Sequence, residues 1–139
     1  PKRRCAKAGL LRHRMSFGWQ AASSERLAKV DEIDARRPSF MTLDAFRASL
    51  AAPAPPSGIS PALLALWHDG RGDWAEAHRV AQDIHDRSGS HVHAYLHRKE
   101  GDDANADYWY RRAHVTLFIG SLDDEWREIV RTLLAEPRT

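Results

Sequence analysis

The sequence predicts an all-α protein, one small domain of stacked antiparallel helical hairpins, and three observations carry that reading. Past residue 41, apolar residues recur three and four positions apart, the period of one helix face. Helix-starting and helix-stopping residues punctuate those stretches. A block reading helix, Gly-Asp turn, helix also occurs twice, 29 positions apart: Ala65, His68, Gly72, Asp73, Ala75 and Ala77 match Ala94, His97, Gly101, Asp102, Ala104 and Ala106.

The elements follow in order. Leu43, Phe46 and Leu50 give a short amphipathic helix over Thr42 to Leu50, and the run from Ala51 to Gly58, with Pro53, Pro55 and Pro56, reads as an extended linker. Ser60 before Pro61 is an N-cap with proline at the first helical position, opening a helix with Leu63, Leu66 and Trp67 on one face up to Gly70. Asp73 and Glu76 open a second helix of this part, with Trp74, Ala77, Ala81 and Ile84 at successive turns, running to about Arg87. Ser88-Gly89-Ser90 is expected to break the pattern, with Ser90 capping a short third helix that carries Val92, Tyr95 and Leu96 and stops at Gly101. Asp102 caps a fourth, with a stripe of Ala106, Trp109, Tyr110 and Ala113; Ser121 and Asp124 cap the last, with Leu122, Trp126, Ile129, Val130 and Leu133. Only Val115 to Ile119 looks strand-like, and one strand builds no sheet. Trp67, Trp74, Trp109 and Trp126 are expected in the core.

Charge divides the 139 residues into a basic leader (1–40), a short helix with a Pro-rich linker (41–59) and a helical-hairpin domain (60–139). Residues 1–40 hold 10 Lys or Arg against 4 Asp or Glu, whereas residues 41–139 hold 11 against 15. The leader fits a disordered arm, an organellar presequence or an extension upstream of a start at Met41. Within it, Ser24 to Arg37 has Leu27, Val30 and Ile33 at helical spacing before Pro38. The acidic remainder would repel phosphate, which argues against nucleic-acid binding by the folded domain. Apolar runs such as Ala62 to Trp67 stop at His68 and Asp69, far short of a membrane span. The single cysteine, Cys5, forms no intramolecular disulfide and no cysteine-built zinc site, so a reducing, cytoplasmic compartment is the simplest expectation, with an organelle as the alternative if the leader is a presequence.

The run from His93 through Tyr95, His97 and Gly101 to Asp102, followed by Asn105 to Ala113, resembles the helical-hairpin repeats of the tetratricopeptide superfamily. It is more similar still to a group of small uncharacterised bacterial proteins that carry the same HAYLHRKEGD…NA.YWY.RA pattern after a GDW..AH run, here Gly72-Asp73-Trp74 and Ala77-His78. The resemblance spans roughly residues 60–135 and implies an architecture, not an activity.

Seven of the eight histidines lie between His68 and His114. His93, His97 and Glu100 fall at i, i+4 and i+7 of one helix, and His78, Gln82 and His85 share a face of the preceding one. Were those faces to meet, His78, His93, His97 and Glu100 would supply the imidazoles and carboxylate that hold zinc or another divalent metal. The alternative is a set of solvated or hydrogen-bonded polar residues beside the apolar stripe. A zinc-protease helix is excluded, because Ala94 stands where that motif needs its glutamate base. Asn105, Tyr108 and Arg112 share a face of the next helix. With His93, His97, Arg98 and Glu100 they would line a groove for a peptide or small anion, or else form a network that fixes helix packing. The repeat pairs His97 with His68 and so suggests that His97 faces away from the core, while Arg112 is expected in the network. Arg71-Gly72-Asp73 is accounted for by its turn. No phosphate loop, nucleophile elbow or paired active-site carboxylates appear. The leading expectation is therefore an interaction module for a protein or peptide, with no cofactor. The alternative is a small metal-binding protein or enzyme, distinguished by whether His78, His93 and His97 converge.

Overall fold

The computed structural model describes residues 40–137. The basic leader, its Ser24 to Arg37 helix and Cys5 lie outside the described residues. Within them the chain forms six helices and no strand: α1 (Leu43–Ser49), α2 (Pro61–Gly70), α3 (Trp74–Gln82), α4 (Arg87–Glu100), α5 (Asp103–Ala113) and α6 (Leu122–Ala135).

Every helix begins on a side-chain oxygen that accepts from an otherwise orphaned backbone N–H: Thr42, Ser60, Asp73, Asp86, Asp102 and Ser121 in turn. The repeat is visible in the turns that join helices. After α2, the Asp73 N–H donates to the His68 carbonyl at 3.0 Å with Gly72 at φ +84°; after α4, the Asp102 N–H donates to the His97 carbonyl at 2.9 Å with Gly101 at φ +93°. Glycine is needed at both because this left-handed conformation strains any side chain. Ala65 and Ala94, and Ala77 and Ala106, are fully buried, as matched positions should be.

Two boundaries differ from the sequence expectation. α3 ends at Gln82 rather than near Arg87, and α4, expected to be short, runs 14 residues from Arg87. Ser88-Gly89-Ser90 is therefore the first turn of α4 and not a break. Asp86 is the cap: its Oδ1 accepts from the Gly89 N–H at 2.9 Å and the Ser88 hydroxyl at 2.6 Å. Gly89 is there for close packing, since a Cβ would lie 2.4 Å from the Ile84 carbonyl oxygen. Residues 115–119 form no strand among the described residues. Val115 and Phe118 turn inward onto Ala94, Ala106 and Tyr110, while Leu117 and Ile119 are exposed.

One core gathers Phe46, Leu63, Leu66, Trp67, Val92, Leu96, Trp126, Ile129 and Val130 from α1, α2, α4 and α6. α4 is its hub, packing against α2, α3, α5 and α6. On the core side of α4 the Tyr95 hydroxyl donates to buried Asp69 at 3.0 Å, and Lys99 donates to the other Asp69 oxygen at 2.8 Å. Arg98 reaches buried Glu125, which also accepts from the Tyr110 hydroxyl. Burial, reinforced by these carboxylates, pushes both tyrosine hydroxyls well above their ordinary pKa. Of the four tryptophans expected in the core, Trp67 and Trp126 are buried, whereas Trp74 and Trp109 are only half-buried. No helix among the described residues is long and apolar enough to cross a membrane.

Candidate metal centre

Helix spacing creates the site. On α4, His93 and His97 are one turn apart and stack almost parallel, with ring planes 8° apart and centroids 5.2 Å apart. α3 packs on that face and delivers His78, whose Nε2 lies 2.9 Å from the Nε2 of His93. One imidazole nitrogen from each of the three histidines lies within 4.8 Å of the other two. His93 and His97 are buried, at 4% and 8% exposure; His78 is half-buried.

Two indoles wall the cluster. Trp74 precedes His78 by one turn of α3 and stacks on it at 4.9 Å, and Trp109 of α5 stacks on His93 at 4.1 Å. Their places at this rim explain why they are not fully buried. The Trp74 indole N–H is itself held by the Leu96 carbonyl at 3.0 Å. These rings displace water from the imidazoles and fix their planes, as a binding site built on side chains requires.

The sequence-derived candidates separate in space. Glu100, expected as a ligand, stands one step out: its Oε2 is 3.3 Å from the Nδ1 of His97, and it favours the tautomer with hydrogen on that nitrogen, the one that leaves Nε2 its lone pair. Asn105 touches the same imidazole, its Nδ2 lying 3.4 Å from both ring nitrogens. Tyr108 is exposed and meets Trp109 edge-on, and Arg112 is exposed and lies over the Trp109 ring, 5.5 Å from its centroid. Arg98 points elsewhere, to Glu125 and the Gly120 carbonyl. Gln82 is the exposed last residue of α3 and His85 lies beyond it, so neither joins His78. His97 is buried although its repeat partner His68 is only half-buried, because Trp74 and His78 close over it. The two walls, Trp74 and Trp109, are the site residues that apolar periodicity assigns to the core; the i, i+4 spacing of Trp74 and His78 was the signal for one of them.

Burial disfavours the charged form of two of the three imidazoles. Burial, then the neighbouring His78 and His97, brings His93 from 6.5 down to about 4. Burial and His97 lower His78 as well, against the opposing pull of Glu100. Neutral imidazoles are the form that binds metal, so at neutral pH His93 has no proton to lose. In the absence of metal the same shift makes stability pH-dependent. The unfolded chain takes up a proton at His93 more readily than the folded one, so stability is complete above pH 6.5 and falls as pH drops towards about 4. The expected loss from this residue is roughly 3 kcal/mol across that window. Urea unfolding of wild type and His93→Phe at both ends of the window checks it: the variant should lose less stability on acidification, and equal slopes would refute the assignment.

The chain matches no family model, no curated protein and no solved structure.

Proposed function

We propose that this protein binds a divalent transition metal through His78, His93 and His97. The observation that carries this reading is the convergence of three imidazoles from two helices within 4.8 Å. Three nitrogen donors without a thiolate suit zinc, cobalt, nickel or copper, and exclude a calcium-type oxygen cage. At a metal–nitrogen distance of about 2.0–2.1 Å, tetrahedral donors stand about 3.3 Å apart. The His78–His93 separation of 2.9 Å is already close to that edge, and the longest separation exceeds it by at most about 1.5 Å. Binding exchanges the His78–His93 hydrogen bond for two metal bonds, with the shared hydrogen moving to the far nitrogen of its ring.

The architecture we propose for this site is the stacked-hairpin one, supported by the matching Gly-Asp turns at Gly72-Asp73 and Gly101-Asp102. The metal reading is preferred to a peptide groove because Arg98, one of the groove's cations, is committed to Glu125.

Calorimetric titration of untagged protein with zinc at neutral pH tests the proposal. One ion per chain is expected. His93→Ala and His97→Ala should each weaken binding more than about 100-fold, beyond what loss of an outer hydrogen-bond partner causes. Saturation at 100 times Kd should stabilise the fold by about 2.7 kcal/mol. Undiminished zinc binding in both variants, or none in the wild type, overturns the proposal.

A further inference from the structure

Resting on that metal reading, we infer that the three histidines fill only three coordination positions and that the fourth is kept for a small anion supplied from solution. Among the described residues the group that converges is His78, His93 and His97 and no more. The carboxylate nearest to them, Glu100, is spent on the Nδ1 of His97 at 3.3 Å. A zinc-type ion takes four donors, and sites with three protein donors hold water or substrate in the fourth place.

The surroundings choose the charge of that fourth ligand. Three neutral imidazoles leave the ion's two positive charges undiminished, and the buried cluster has low polarity, so an anion gains more there than in water. Asn105 sets an amide beside His97, and Arg112 lies over Trp109, the ring stacked on His93, which sets a positive charge at the rim to offset the Glu100 carboxylate. At the rim of the cluster His78, Trp74, Trp109 and Asn105 are half-buried and Glu100 is exposed, so the rim meets solvent. The ligand class is therefore a small oxygen- or nitrogen-donor anion, such as a carboxylate, hydroxide or azide. The exchange is a simple substitution: the anion gives a lone pair to the metal as a water leaves, with no change of oxidation state.

The test is the visible spectrum of the full-length chain loaded with cobalt(II) and titrated with azide. A tetrahedral cobalt spectrum that shifts saturably with one azide per cobalt is expected. In Glu100→Gln the azide shift should persist while cobalt affinity falls about 10–100-fold, the effect of losing a group that orients a ligand. A wild-type spectrum that ignores azide, joined to a Glu100→Gln spectrum that responds, would make Glu100 the fourth ligand and overturn the inference. So would a thiolate-to-cobalt charge-transfer band abolished by Cys5→Ser. Cobalt that fails to bind at all removes the metal reading itself, and with it the open position. Cobalt that binds one to one but ignores azide in both chains leaves the metal reading standing and refutes the vacancy.

Discussion

Arg98→Ala is expected to destabilise the fold by about 3–5 kcal/mol. Glu125 has no exposed surface and takes its countercharge from Arg98, 2.5 Å away. Removing the guanidinium leaves a buried carboxylate with the Tyr110 hydroxyl as its remaining donor, and frees the Gly120 carbonyl as well. The double replacement Arg98→Met with Glu125→Met should recover part of the loss, because two apolar side chains of similar volume carry no charge to desolvate, while the buried Tyr110 hydroxyl loses its acceptor. Urea denaturation of the single and double variants measures this. A loss under about 1 kcal/mol for Arg98→Ala, the range of an exposed ion pair, would mean that the pair is solvated.

Phe46→Ala should cost a comparable 3–5 kcal/mol. Phe46 is the buried residue of α1, is fully enclosed, and rests against Trp126 of α6 with ring centroids 5.9 Å apart. The rest of α1's attachment is the partly buried Leu43 and Leu50 and hydrogen bonds near the surface: the Trp67 indole N–H donates to the Ser49 carbonyl, and Arg71 donates to the carbonyls of Leu50 and Ala52. Those bonds do not replace an aromatic ring in the core. Chemical denaturation gives the energy, and amide exchange over residues 43–50 shows where it acts, with protection there falling ahead of α4. A variant as stable as wild type would show that α1 contributes little to the core.

The helical class was legible because caps and apolar stripes agreed: Ser60-Pro61, Asp102 and Ser121 begin helices where the sequence places them. The α3–α4 junction was not. Asp86 and Ser90 both offer good capping oxygens, and the choice between them depends on Gly89 fitting against Ile84, a contact no local pattern reveals. The histidine cluster was half legible. Helical spacing aligns His93 with His97, but their meeting with His78 depends on how α3 sits on α4. The different fates of Arg98 and Glu100, two residues apart, follow from the 100° turn between successive helix positions. Arg98 meets α6 and Glu100 remains with His97. Spacing alone made both look available to a groove.

The order of the helices also governs how quickly the chain folds. α2, α3 and α4 each pack on their immediate successor, so most of the association of α2 to α5 closes only short loops and proceeds rapidly. α6 is the exception: the Trp126 indole N–H meets the Leu66 carbonyl across 60 residues of chain. The contact of Phe46 with Trp126 spans a longer stretch still, and the entropy cost of closing each grows with the length of chain it spans. The long-range contacts of α6 are thus expected to form after α2 to α5 have packed, an order that site-resolved amide exchange during refolding checks.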